Sequence, residues 1–291
     1  MADLLRPLRH LLRAPGNELG FLLRSTLRFR RGRAELANEP KGDLFAALPP
    51  SERSAAEHRV TELISRYALA PLFERSLRRH WLSTLAHLDG LERLCFELPV
   101  PHSVDGACRA IDVGSGDFHY AFGLARFLSH HGRCAATPRP VVLRGVEFDG
   151  HGIYRDGRAR CDHAEAQARL ASVDAQLVRY EVADFVRRQW PEQDVVTLLF
   201  PFLSAHACLA WGAPLSRLAP RRLLQHAVAT LRPGGLLVVV NQTEAEFTQL
   251  QQLLSPTNVD FVAAVGWHCA FVPWRERTRD QVGSVWRART R

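Results

Sequence analysis

The chain has 291 residues, 46% apolar and 23% charged, enough for one large globular domain or two modest ones. No apolar run approaches the roughly 18 residues of a membrane-spanning helix, and no apolar stretch of about 7–15 residues follows the basic N-terminus as a secretory signal requires. The net charge of +8 is concentrated in residues 1–33, where eight arginines face only Asp3 and Glu18, leaving a body of +2.

Leu4, Leu5, Leu8, Leu11 and Leu12 fall on one face of a helix, with Arg6, Arg9 and Arg13 interleaved. This is a basic amphipathic helix, and residues 1–33 are expected to make at most weak, sequence-independent contact with RNA or an anionic membrane. Lys41 is the only lysine, so the arginine density reflects general composition as much as phosphate recognition. Val60, Leu63, Ile64 and Tyr67 form a second apolar stripe that ends near Pro71, and Leu77, Trp81, Leu85 and Leu88 form a third. Pro99 and Pro101 then mark a linker. The chain thus divides into a helical region with a basic arm, residues 1–107, and a second unit, residues 108–291.

From Cys108 the pattern alternates. Strands are predicted at Arg109–Val113, Val141–Glu147, Gln176–Val182, Asp194–Phe200, Leu236–Asn241, Val259–Val265 and Val282–Arg287. Helices are predicted at Tyr120–His130, Asp162–Ser172, Pro220–Leu231 and Glu244–Leu254, with none between the last two strands. Short apolar strands separated by helices give an α/β fold: a doubly wound, mostly parallel seven-stranded sheet covered on both faces, with an antiparallel strand at the end. The six cysteines (Cys95, Cys108, Cys134, Cys161, Cys208, Cys269) have no C-x-x-C spacing, so reduced thiols in a cytoplasmic protein and no metal are expected.

The first strand runs into Asp112-Val113-Gly114-Ser115-Gly116-Asp117-Phe118. Glycines there let a backbone approach a ligand, and the carboxyl ends of the strands are where ligands sit in doubly wound sheets. A dinucleotide fingerprint requires a third glycine where His119 stands, and Asp112 and Asp117 would repel a pyrophosphate. A ligand with cationic groups and a carboxylate suits the turn better. Glu147 ends the second strand, positioned to accept from ribose hydroxyls. Asp184 and Phe185 follow the third strand, where an adenine amino group and ring would lie.

Three acids at the ends of three successive strands resemble the class I S-adenosylmethionine-dependent methyltransferase family. Asp112-Val113-Gly114-Ser115-Gly116 is similar to its first motif, Glu147 to its ribose acid and Asp184 to its adenine acid. Leu231-Arg232-Pro233-Gly234-Gly235-Leu236 is similar to its turn into the fifth strand. The resemblance implies S-adenosyl-L-methionine as cofactor, held by Asp112, Gly114, Ser115, Gly116, Glu147, Asp184 and Phe185. Phe118 departs from it, standing where many members have a third glycine.

The segment after the fourth strand, which faces the methyl group in the family, reads Leu199-Phe200-Pro201-Phe202-Leu203-Ser204-Ala205-His206. It lacks the family's amino-methylating motif and its Pro-Cys pair. Phe200, Pro201 and Phe202, with Trp211 and Phe118, are expected to form an apolar rim, and His206 is the nearest candidate base. Methyl transfer to an unidentified small molecule or protein is the leading expectation. The alternatives are an RNA methyltransferase that uses the arm and a catalytically inactive cofactor-binding scaffold. Because every candidate cofactor residue follows Cys108, the arm is expected to be separable from cofactor binding.

Overall fold

The computed structural model describes residues 2–42, 44–46, 48–95, 98–99, 106–130, 138–267 and 280–290, with side chains from residue 13 onward. Seven strands, β1 (Cys108–Val113), β2 (Val141–Glu147), β3 (Gln176–Val182), β4 (Gln193–Leu199), β5 (Leu231–Asn241), β6 (Val259–Gly266) and β7 (Val282–Ala288), form one sheet. Their order is β3-β2-β1-β4-β5-β7-β6. The first five run parallel, and β7 lies antiparallel between β5 and β6. The chain reverses its direction of winding between β1 and β4, and that switch point opens a crevice at the carboxyl edge.

Strand patterning follows from burial on both faces. All seven residues of β4 are buried, as a central strand demands. Ala110, Leu143, Val178, Val195, Leu199, Val238 and Val240 pack on one face. That face is covered by α4 (Arg78–Cys95), α5 (Ala121–His130) and α6 (Arg160–Ala171). Ile111, Val146, Val196, Leu198, Leu237 and Val239 face the other side, under α8 (Pro220–Thr230) and α9 (Glu244–Leu254). β5 starts at Leu231, earlier than the sequence pattern indicates. Leu231 pairs with Gln193 ahead of a register shift, and the Gly234-Gly235 turn lies inside the strand as an irregularity. Cys95, Cys108, Cys161 and Cys208 are buried free thiols, while Cys134 and Cys269 lie outside the described residues.

The N-terminal third is helical as expected: α1 (Ala2–Leu27), α2 (Pro50–Tyr67), the single turn α3 (Ala70–Phe73) and α4. Glu92 on α4 is buried and accepts from Arg59, Arg66 and the Tyr67 hydroxyl of α2, so its charge is compensated from three sides. The short α7 (Ala205–Ala210), capped by the Ser204 hydroxyl, has no periodic signal in the sequence.

Trp267, just past β6, keys α4 to the sheet. A Cβ on Gly90 of α4 would stand 2.8 Å from its indole, and one on Gly283 of β7 would stand 2.3 Å away. Only glycines let the ring lie between helix and strand. Gly283→Ala is expected to destabilise the protein by about 1–3 kcal/mol in denaturant titrations. In a Trp267→Ala background, itself destabilised, the same change should cost markedly less. Additive effects would show that the indole is not what the glycine accommodates.

Candidate functional site

The crevice begins with the turn after β1. Gly114 and Gly116 have left-handed φ of +78° and +57°, and a Cβ on either would meet no atom within 4 Å. The turn is therefore an open cradle. Its amides are already engaged: Gly114 and Ser115 donate to the Val146 carbonyl at 2.8 and 3.3 Å, and Gly116 donates to Glu147 Oε2 at 3.0 Å. Ser115 Oγ is the exception, buried with no hydrogen-bond partner. Phe118 has φ 56°, so the backbone keeps a glycine-like conformation at the position of the third family glycine. Its ring is fully buried, packed so close to Gly145 that a Cβ there would stand 2.8 Å away. Phe118 is thus a core residue and not part of the expected rim.

Asp112 is wholly buried and accepts from the Thr197 hydroxyl and, at 2.6 Å, from the Tyr120 hydroxyl. Burial lifts its pKa to about 6, against the pull of those two hydrogen bonds. Glu147 is also buried; besides the Gly116 amide it takes the Asp149 amide at 2.9 Å, and Arg160 lies 3.8 Å from it. Asp184 caps the short 3-10 turn after β3, accepting from the Val186 amide at 3.2 Å. Its other oxygen pairs with Arg217 at 2.7 Å and Arg187 at 3.2 Å. The Phe185 ring is buried and stacks on Trp190 with centroids 5.8 Å apart. It points into the core, so only its backbone remains available to the crevice. Phe148, half-buried, is the aromatic ring beside the space where an adenine was expected.

The roof of this crevice comes from α1. Phe21 and Ser25 of α1, with Arg28 just past its end, line a pocket of about 280 Å³ together with Phe148, Ala183, Asp184 and Arg217. Phe21 meets Phe148 at 5.6 Å, and Arg24 grips Asp149 in two-pronged fashion at 2.6 and 2.9 Å. Asn17 donates to the Leu209 and Ala213 carbonyls, and Glu18 accepts from Ser216. An arm separable from cofactor binding is the expectation from sequence; in the structure its helix packs against the body beside the pocket. The leucine pattern that identifies the helix says nothing of its polar face, and that face makes these contacts. Arg24 and Arg30 are both committed to carboxylates of the body, Arg30 to Asp162 and Glu165.

Past β4, Phe200 has a left-handed φ of 61° and donates its amide to the Val240 carbonyl. Strain at a non-glycine residue in this place marks a constrained site. Pro201 is buried and Phe202 half-buried, while His206 is exposed at the start of α7 and Trp211 is 62% exposed. Less exposed imidazoles come from α4 and the glycine turn: His80 and His119 are half-buried and His87 is buried. His119 Nδ1 lies 2.7 Å from Asp117 Oδ1 and its Nε2 lies 3.0 Å from Ser83 Oγ. His80 stacks on His119 at 4.8 Å, and burial plus that neighbour bring its pKa down to about 4. Burial alone would raise Asp117, but the hydrogen bond from His119 and the two imidazoles hold it well below the usual carboxylate range. His87 is fully enclosed by Tyr120, Phe200 and Trp267; its Nδ1 has no partner, and burial lowers its pKa to about 3. Asn241, ending β5 beside Phe200's partner Val240, is buried with neither side-chain amide atom bonded. His80, His87 and Asn241 carry no motif; the alternation that identifies α4 and β5 gives no sign of them.

No family model matches the chain, and no curated protein matches it. Solved structures similar in fold include the cyclase SpnF, at 15% identity over 84% of this chain and 98% of that one, TM-score 0.47. Another is magnesium protoporphyrin IX methyltransferase (ChlM) from Synechocystis PCC 6803 with bound SAM, at 9% identity over 84% and 99%, TM-score 0.43. A third is the N-methyltransferase NodS from Bradyrhizobium japonicum WM9 with S-adenosyl-L-homocysteine, at 14% identity over 79% and 98%, TM-score 0.40.

The raised pKa of Asp112 sets a pH signature. Its folded value, about 6, exceeds the ordinary 3.8, so it leaves stability untouched at low pH. From pH 4 to 6 the unfolded chain ionises first, and stability falls by an amount on the order of 3 kcal/mol, staying lost above pH 6. Asp112→Asn should remove that decline; urea titrations from pH 3.5 to 8 read it as a smaller pH slope than wild type. An unchanged slope would mean that Asp112 titrates normally.

Proposed function

We propose that the chain transfers a methyl group from S-adenosylmethionine to a small molecule or protein acceptor. The observation that carries this reading is the open glycine cradle set between two buried carboxylates, Asp112 and Glu147. Two acids at the cradle would repel a pyrophosphate, whereas sulfonium and ammonium groups are complementary to both. Ser115 Oγ, buried and without a partner, suits a carboxylate at the turn. Glu147, fixed by the Gly116 and Asp149 amides, retains lone pairs for ribose hydroxyls. Phe148 and the backbone at Ala183–Phe185 frame an adenine site, with Asp184 shared between an amino group and its arginines. When bound, the cofactor supplies an electrophilic methyl group for in-line attack.

The proton acceptor in this reading is the Asp117–His119 pair in place of exposed His206. Asp117 fixes the tautomer of His119, leaving Nε2 to face the Ser83 hydroxyl. An acceptor group taking the place of that hydroxyl would give its proton to Nε2. Phe200 and Phe202 supply apolar walls, and Asn241 a pair of unspent polar atoms to orient the acceptor. The commitment of Arg24 and Arg30 to carboxylates weighs against RNA as the substrate.

Calorimetry should give micromolar-range binding of S-adenosylmethionine or S-adenosylhomocysteine and none of NAD. Glu147→Ala should weaken it by roughly 2–3 kcal/mol. NAD binding without S-adenosyl binding would sink the assignment, and wild-type affinity in the variant would remove Glu147 from the site. Labelled methyl transfer into fractionated lysate, with and without nuclease or protease, identifies the acceptor class. In that assay His119→Ala should slow transfer by about 100-fold or more, with His206→Ala unchanged. Equal rates for the two variants would dismiss the Asp117–His119 base.

A further inference from the structure

The inner face of α1 meets the body, and its outer face meets water. Leu19, Leu22, Leu23 and Leu27, at helical spacing, are 52–73% exposed, and Phe29 beyond the helix end is 49% exposed. Five of the eleven large apolar side chains exposed among the described residues therefore fall within this one short segment. In helical period the stripe continues back through Leu12, Leu11, Leu8, Leu5 and Leu4, whose side chains lie outside the described ones. Trp211, itself exposed, adjoins Gly212, whose carbonyl receives Arg24. A contiguous apolar face of this kind signals a binding surface.

Charge selects the occupant. Arg13 on the helix and Arg31 and Arg33 just beyond its end are exposed, in a segment whose net charge is +6. Arg24 and Arg30 pair with the body, and the basic charge that remains would repel a second copy, whereas anionic lipid headgroups complement it. A leucine face with arginines at its margins and a tryptophan nearby is the composition of a helix that lies in the plane of a membrane interface. We propose that α1 seats the protein on an anionic membrane surface, with Leu19, Leu22, Leu23 and Leu27 in the headgroup–acyl boundary. Phe21 and Arg24 stay on the inner face, so seating does not require the crevice roof to lift.

The test is co-sedimentation of the full chain with phosphatidylcholine vesicles, with and without one-third phosphatidylglycerol, at low and physiological salt. Wild type should pellet with the anionic vesicles. Combined Leu19→Ser, Leu22→Ser, Leu23→Ser and Leu27→Ser should weaken partitioning by about tenfold or more while the thermal melt stays near wild type. Combined Arg13→Gln, Arg31→Gln and Arg33→Gln should abolish the preference for anionic over neutral vesicles, and it reads the proposal independently if the leucine variant fails to fold. Absence of vesicle binding, or binding indifferent to both sets of changes, overturns the proposal. So does a leucine-dependent dimer in sedimentation equilibrium, or retention on total RNA, without vesicle binding.

Discussion

The hydrogen bond from the Gly116 amide to Glu147 is the contact on which the crevice depends. It ties the end of β2 to the turn after β1 across the edge where the two strands diverge. A buried carboxylate needs partners on every side, and Glu147 finds them in two backbone amides and the nearby Arg160 guanidinium. Arg160 also approaches Asp149, and Asp149 in turn binds Arg24. Charges of alternating sign thus run from the glycine turn to the N-terminal helix, each placed to offset the last. The geometry of the cradle and the position of its roof are consequences of one continuous electrostatic sequence.

Much of this was legible in the sequence because it rests on periodicity. β2, β3 and α9 have the limits that alternation and helical spacing give them, and the acids at the ends of β1, β2 and β3 reach one edge because parallel strands share a direction. What was not legible rests on contacts between segments distant in the chain. Asp149 carries no sequence signal of its own; its partner Arg24 is 125 positions away. Phe185 follows β3, but its ring packs inward against Trp190 and His226, a contact that no local pattern announces. Phe118 illustrates the reverse: the sequence departs from glycine while the backbone does not, and the ring's packing under Gly145 offsets a strained φ.

The histidines divide along the same line. His206 attracts attention by following β4, yet it is exposed on the short α7. His80 and His87 are seven residues apart on α4, two turns along one face, and only the docking of α4 against α5 brings them to Asp117, His119 and Tyr120. The N-terminal helices therefore supply part of the site's inner surface. Trp267 fixes their depth, since its ring fills the gap between α4 and β7.

The two-pronged grip of Arg24 on Asp149 has a kinetic consequence. The pocket beneath Phe21 and Phe148 opens to solvent, and displacing its α1 wall means parting a half-buried ion pair and an aromatic contact in the same event. Helix displacements of that kind take microseconds to milliseconds, far slower than diffusion out of an open cleft. That wall belongs to a helix far upstream of the glycine turn, and weakening the grip would loosen it without altering a single residue of the turn.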